Sequence, residues 1–320
     1  MSTDTEARPA ASDADRPGRI DAVPVRHPGR WVAIAVIAVL FAMLVHLLVT
    51  NKAFDWRFVF QAMSQQPVIN GFIKGTLLVT VLSMIVGVVG GVILAVMRLS
   101  DNPILAGVAW VFTWFFRSIP RYILLFTMGT LGILFQQGVS LGVPFDWKIM
   151  EWLGLSGDWR FYTLDANQIF TGLVAGVIGL GLSEAAYMAE IARAGILSVD
   201  KGQAEAAEAL GMGSGKVMRR VVLPQAMRVI VPPTGNETIA MLKDTSLLLA
   251  VPVLGELFYQ LQSIGSTYYK TFPIAVAATL YYLAATSVLM IGQYFLERHF
   301  GRGFGTQAPR ATRPAGAGGV

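Results

Sequence analysis

Long apolar runs recur along this chain, and they suit lipid better than water. Residues 31–50 are twenty consecutive residues without a formal charge. At about 1.5 Å per residue, a helix of that length crosses a bilayer core of about 30 Å. A cleaved secretion signal would have a shorter apolar part, an earlier start and a small-residue cleavage site. This run instead follows thirty polar residues, so it is expected to persist as a helix. Further runs lie at 75–97, 122–136, 168–189, 229–250 and 273–296. Residues 103–116 are too short to cross alone. They are expected to form an interfacial or partly buried helix, leading into the third run across the break Arg117-Ser118-Ile119-Pro120-Arg121. The fifth run is the weakest, because Pro232, Pro233, Asn236, Glu237, Lys243 and Asp244 interrupt it. The expected fold class is all-α and integral to a membrane, with six spans.

Composition agrees with lipid as the solvent. Hydrophobic residues make up 54% and charged residues 14%, against about a quarter charged in soluble domains. The net charge of +5 could suggest a nucleic-acid partner, but the placement of the charges argues otherwise. With six spans, one membrane face holds residues 1–30, 98–121, 190–228 and 297–320, and these carry eighteen of the twenty-five Lys and Arg residues. Cytoplasmic loops are enriched in these residues. That face, including both ends of the chain, is therefore expected in the cytoplasm of a cell with a multi-pass plasma-membrane protein, and no nucleic-acid partner is expected. Cysteine is absent, and His27, His46 and His299 are scattered, so no metal site is expected. Residues 1–30 and 301–320 bury too little apolar area to offset chain entropy and are expected to be disordered tails. No internal repeat is visible.

Within the basic face lies a polar stretch, GQAEAAEALGMGSGKVMRRVVLPQAMRVIV, at 202–231. Ala204, Ala206, Ala207, Ala209 and Leu210 favour helix, and Gly211 is a natural terminator. A second short helix is expected at about 216–222, with Pro224 starting the return to the membrane. Gly211-Met212-Gly213-Ser214-Gly215-Lys216 superficially looks like a phosphate-binding loop. That loop needs four residues between its glycines and a Ser or Thr after the Lys. Here three residues intervene and Val217 follows, so nucleotide binding by this chain is rejected. Alone, Glu205-Ala206-Ala207-x3-Gly211 would fit an ordinary amphipathic loop between membrane helices. The full spacing, EAA-x3-G-x9-V-x-LP, resembles the EAA loop of ABC-transporter permease subunits, where a short cytoplasmic helix docks onto a separate ATPase.

Upstream, Tyr187, Glu190, Arg193, Gly195, Ile196, Ser198, Gly202 and Gln203 form Y-x2-E-x2-R-x-G-I-x-S-x3-GQ. This is similar to the polar-amino-acid branch of those permeases, the histidine/glutamine/glutamate/arginine/opine type. Gly75-Thr76-Leu77, Phe116-Arg117-x2-Pro120 and Asn236-x6-Lys243-Asp244-Thr245-Ser246-Leu247 also match that branch. The resemblance implies a type I importer permease-like bundle: a five-helix core domain at 70–300, a cytoplasmic loop at 198–228, and residues 31–50 as an added N-terminal span. It implies that Gly202, Gln203, Glu205, Ala206, Ala207, Ala209, Leu210 and Gly211 couple to the ATPase. It also implies three kinds of partner: an ATPase dimer that binds the ATP and magnesium, a solute-binding protein, and a second permease subunit, the same or paralogous. This chain would then hold no cofactor and catalyse no reaction. The break departs from the pattern, since the family commonly has RGTP where Arg117-Ser118-Ile119-Pro120 stands.

The charges inside the spans carry two readings. A carboxylate at membrane depth is costly and usually faces a bundle interior or wet cavity. Glu184 either contacts a substrate's ammonium or basic group, or pairs with Arg117, Arg121 or Arg193. In a helical fifth run Asn236, Lys243 and Ser246 share a stripe, with Glu237 and Asp244 beside it. That face, with Thr245 and Tyr187, is either a polar pathway lining or a structural Lys–carboxylate pair. The outer segment 136–167, with Trp147, Trp152 and Trp159, is either an interfacial hairpin or an enlarged contact for the solute-binding protein. The rival class is a secondary amino acid transporter driven by an ion gradient. It accommodates the intramembrane charges but not the EAA spacing.

Overall fold

The computed structural model describes residues 28–135, 138–155, 159–165, 172–251 and 253–301. Most of both expected tails, and the start of the expected fourth span at 168–171, lie outside the described residues. The chain divides into two units, Met1–Lys52 and Ala53–Val320. In the first, α1 (Pro28–Thr50) buries none of its residues and is apolar on every side. A helix that is hydrophobic all round matches a membrane span, not the amphipathic surface of a soluble domain.

The second unit is a helical bundle. Its helices are α2 (Trp56–Met63), α3 (Gln66–Arg98), α4 (Pro103–Ser118) and α5 (Arg121–Leu134), then α6 (Asp146–Leu153), α7 (Gly172–Leu197) and α8 (Lys201–Ala209), and finally α9 (Leu223–Asp244), α10 (Leu257–Tyr268) and α11 (Thr271–Phe300). A two-stranded antiparallel ribbon adds to the expected helices: β1 (Val139–Gly142) pairs with β2 (Arg160–Leu164), with a bulge at Leu141/Gly142. Its strands flank α6 within the segment 136–167 that was expected on the outer side.

Helices α1, α3, α7 and α11 are each long and apolar enough to cross a membrane, and α4 with α5 passes the same test as one span bent by 103°. This matches the expected partial helix leading into the third span. The fifth run differs from expectation. Its helix starts earlier, at Leu223, and ends at Asp244, with a 3₁₀ segment over Thr245–Ala250. The expected short helix at 216–222 is a single turn (Ser214–Val217) and a π-helical turn (Met218–Val222) that run directly into α9, so Pro224 marks no break. Pro224 has no N–H to donate, and it sits directly after the π-helical turn, where the regular i→i−4 ladder is already interrupted.

The hub is α7, which packs against α3, α4, α5 and α9. Small residues let these backbones close in. A Cβ on Gly87 would sit 2.4 Å from Glu184 Cγ, and one on Gly91 would sit 2.4 Å from Met188 Cβ. Gly87 and Gly91, four residues apart, therefore pack α3 onto α7 within one chain. Of the glycines at the same spacing on α7, Gly176 faces Leu248, whereas Gly172 only opens α7 with φ +59° and has no neighbour within 4 Å among the described residues.

A second tie joins α3, α10 and α11. Glu256 is fully buried and has no ion pair among the described residues. Its Oε2 caps α10, accepting from Phe258 N at 2.7 Å and Tyr259 N at 3.3 Å, while Oε1 accepts from Thr76 Oγ1 at 2.8 Å and Tyr282 OH at 2.9 Å. Four donors make the buried carboxylate tolerable. The π-helical turn of α3 (Gly71–Leu77) runs against this cap, where a Cβ on Gly75 would lie 2.3 Å from the carbonyl oxygen of Gly255.

Candidate functional site

The break between α4 and α5 builds the polar centre of the bundle. Pro120 cannot extend α4, and the residue before a proline is pushed to extended backbone. Ile119 has φ −93° and ψ 129°. The chain turns, and Arg121 becomes the first residue of α5. Its Nη2 lies 2.9 Å from Glu184 Oε2 on α7 and 3.8 Å from Glu237 Oε2 on α9, and Nη1 lies 2.5 Å from Asp244 Oδ2 on α9. The guanidinium also stacks 4.9 Å above the ring of Tyr187, one turn along α7 from Glu184, and Arg117 sits 5.5 Å from the same ring. Glu184 is fully buried, and its Oε1 has no hydrogen-bond partner among the described residues.

One of the two readings of Glu184 therefore has its geometry: the pair forms, and the cation is Arg121. Arg193 is taken up by Glu190 at 2.9 Å. Glu237 and Asp244 are seven residues apart and share a helix face. Asn236 and Lys243, each one residue earlier, are turned to the exposed side. Of the two readings of this face, the Lys–carboxylate pair lacks its geometry: Lys243 has no ion pair among the described residues, and the cation between Glu237 and Asp244 is Arg121. Thr245 is buried with its hydroxyl donating to Leu242 O, and Ser246 donates to Lys243 O, so both serve the 3₁₀ segment. One guanidinium faces three carboxylates, a local excess of negative charge in a low-dielectric setting. In the sequence Arg121 stood only as one of three candidate partners for Glu184, just after the departure from the RGTP pattern. Its role depends on contacts 63 and 123 residues away.

At the far end of α7, α8 is capped by Asp200, which accepts from Gly202 N at 2.7 Å. The helix ends in paired bonds, Met212 N to Ala207 O and Gly211 N to Glu208 O, with Gly211 at φ +82°. That left-handed residue is why glycine stands there. Ala207 is buried with Val217 and Val222. Gln203, Glu205, Ala206, Ala209 and Leu210 face outward, and Leu210 is 84% exposed. A short helix thus stands on its own small hydrophobic base and presents a small-residue face with a protruding leucine.

A family model described as the binding-protein-dependent transport system inner membrane component matches residues 87–302. The chain belongs to this family. It is similar to the arginine transport system permease protein ArgU of Corynebacterium glutamicum, at 44% identity over 94% of this chain and 89% of that protein. It is 32% identical to the probable amino-acid permease protein YxeN of Bacillus subtilis, over 79% of this chain and 98% of that one. Among solved structures, one of an amino acid ABC transporter with histidines aligns at TM-score 0.55 and 30% identity, over 73% of this chain and 94% of that one. These likenesses support a multi-pass permease subunit of the amino acid importer class, and not the gradient-driven carrier.

Proposed function

We propose that this permease carries a basic amino acid, such as arginine, from a solute-binding protein on the outer face into the cytoplasm, driven by a separate ATPase dimer. The carboxylate excess around Arg121 carries the substrate reading. Glu237 and Asp244 have side chains 26% and 29% exposed, and Glu237 has only a long 3.8 Å contact with Arg121, so it is the carboxylate freest to meet a cation. The similarity to an arginine permease points the same way. The outward face of α8 is the seat for the ATPase, which holds the ATP and magnesium. The asymmetry of Lys and Arg supports a cytoplasmic position for that seat and for both tails. A second permease copy or paralogue completes the pathway. ATP must favour one conformation over the other, since equal binding to both would shift nothing.

The test is uptake into vesicles holding this chain, its ATPase and its binding protein, with ion gradients collapsed. Arginine uptake is expected to require ATP, and Gly211→Arg is expected to abolish both uptake and co-purification of the ATPase. The space beyond Gly211 is open, so the damage arises from the lost φ +82° helix end and from the cation placed at the docking face. ATP-independent uptake by wild type would overturn the reading. For the substrate, Glu237→Gln is expected to lower arginine uptake about tenfold relative to glutamine, as expected for losing about 1.4 kcal/mol of ion pairing. An unchanged ratio would remove Glu237 from the pathway.

A further inference from the structure

A second polar cleft lies on the α8 side of the Arg121 cluster. It is about 360 Å³ in volume and is lined by Arg98, Trp110, Trp114, Arg117, Tyr187 and Glu190, from α3, α4 and α7. Its charges are not balanced internally. Arg117 has no ion pair among the described residues; its contact is the ring of Tyr187. Arg98 reaches Glu190 only at 3.8 Å, and its buried Nε has no hydrogen-bond partner among the described residues. Glu190 already accepts two bonds from Arg193, at 2.9 and 3.0 Å. Three guanidiniums, those of Arg98, Arg117 and Arg193, therefore share one carboxylate among the described residues, whose Oε2 takes both Arg193 bonds and whose Oε1 meets Arg98 only at 3.8 Å, and such a positive cleft suits an anion.

The rim identifies the source of that anion. Trp110 and Trp114 stack nearly parallel with ring centroids 6.2 Å apart, and both are about half exposed. They stand on a helix whose other exposed residues include Val108 and Val111. Indoles favour the headgroup zone of a bilayer. Arg98 is the last residue of the span α3, which puts the cleft at that depth. We propose that this cleft binds the phosphate of an anionic phospholipid, Arg98 and Arg117 holding the phosphate and the two indoles fixing its depth. The proposal needs only the membrane location and not the substrate reading.

The experiment is thermal unfolding of the full-length chain in neutral detergent, titrated with short-chain phosphatidylglycerol, phosphatidylcholine or inorganic phosphate, beside native mass spectrometry of retained lipid. Phosphatidylglycerol is expected to raise the midpoint and phosphatidylcholine to leave it unmoved, with about one anionic lipid retained per chain. Arg117→Gln is expected to weaken the apparent affinity about fivefold, since each basic residue near a lipid surface contributes about that factor. Glu190→Gln, which frees Arg98 and Arg193, should keep or tighten binding. Equal responses to the two lipids, or an unaltered affinity in Arg117→Gln, would overturn the site. An equal shift with inorganic phosphate would overturn the lipid as its occupant. If Arg117→Gln does not fold, wild type purifying without anionic lipid overturns the proposal by itself.

Discussion

Arg121→Ala is expected to leave almost no folded permease in detergent. The substitution removes the only cation in ion-pair range of Glu184, Glu237 and Asp244 among the described residues. Glu184 is fully buried and cannot recover its solvation by turning outward. Removing one partner from a buried ion pair costs about 3–5 kcal/mol, a large share of the roughly 5–15 kcal/mol that holds a folded protein together. Glu237 and Asp244 are partly exposed and add less, because solvent screens them. Arg121→Lys should restore part of the yield at most, since a single ammonium cannot reproduce two nitrogens placed on two different helices. The double variant Arg121→Ala with Glu184→Gln should recover more than Arg121→Ala alone, because it no longer strands the deepest carboxylate. The measurement is monodisperse yield and unfolding midpoint by size-exclusion and thermal scanning. An Arg121→Ala protein with a wild-type midpoint would show that the cluster contributes nothing to holding the bundle.

Gly87→Leu is expected to force α3 away from α7. A bare Cβ at this position would already lie 2.4 Å from Cγ and 2.7 Å from Cβ of Glu184, far inside contact distance. Neither atom belongs to a free side-chain end, since Glu184 is pinned by Arg121. Overpacking costs about 1–3 kcal/mol in a core that can adjust, and this one has little room. A midpoint lowered by on the order of 10 °C is expected at the top of that range. Gly292→Leu on α11 is the matched control. A Cβ there would have nothing within 4 Å, so the midpoint should stay within a degree or two. Equal midpoints for Gly87→Leu and wild type would mean that the two helices do not approach this closely.

What the sequence could convey depended on distance along the chain. The apolar runs behind α1, α3, α7 and α11 were legible because a bilayer demands length and hydrophobicity from each segment separately. The α8 helix was legible for the same local reason: alanines that favour helix and Gly211 at the one position needing a left-handed residue. The Arg121 cluster was not, because its three carboxylates come from two other helices and Glu184 had three arginines to choose from. The choice between the two readings of Lys243 was open for the same reason. Glu256 drew no notice, since a lone glutamate between helices reads as a solvated loop charge until the donors from Thr76 and Tyr282 are brought to it. The ribbon at 139–164 was hidden by short strands with no clear alternation.

Pro232 and Pro233 lie inside α9, and neither can donate a backbone hydrogen bond. The carbonyls of Arg228 and Val229 therefore lack the donors that a regular helix would supply four residues on. Gln293 reaches across from α11 to Pro232 O at 2.8 Å, and its amide fills the space that a side chain at Gly235 would need. Bending α9 here therefore gives up fewer ladder bonds than in an unbroken helix, while the Gln293 contact holds one side, so the prolines set apart its α8-proximal half from the half that holds Glu237 and Asp244.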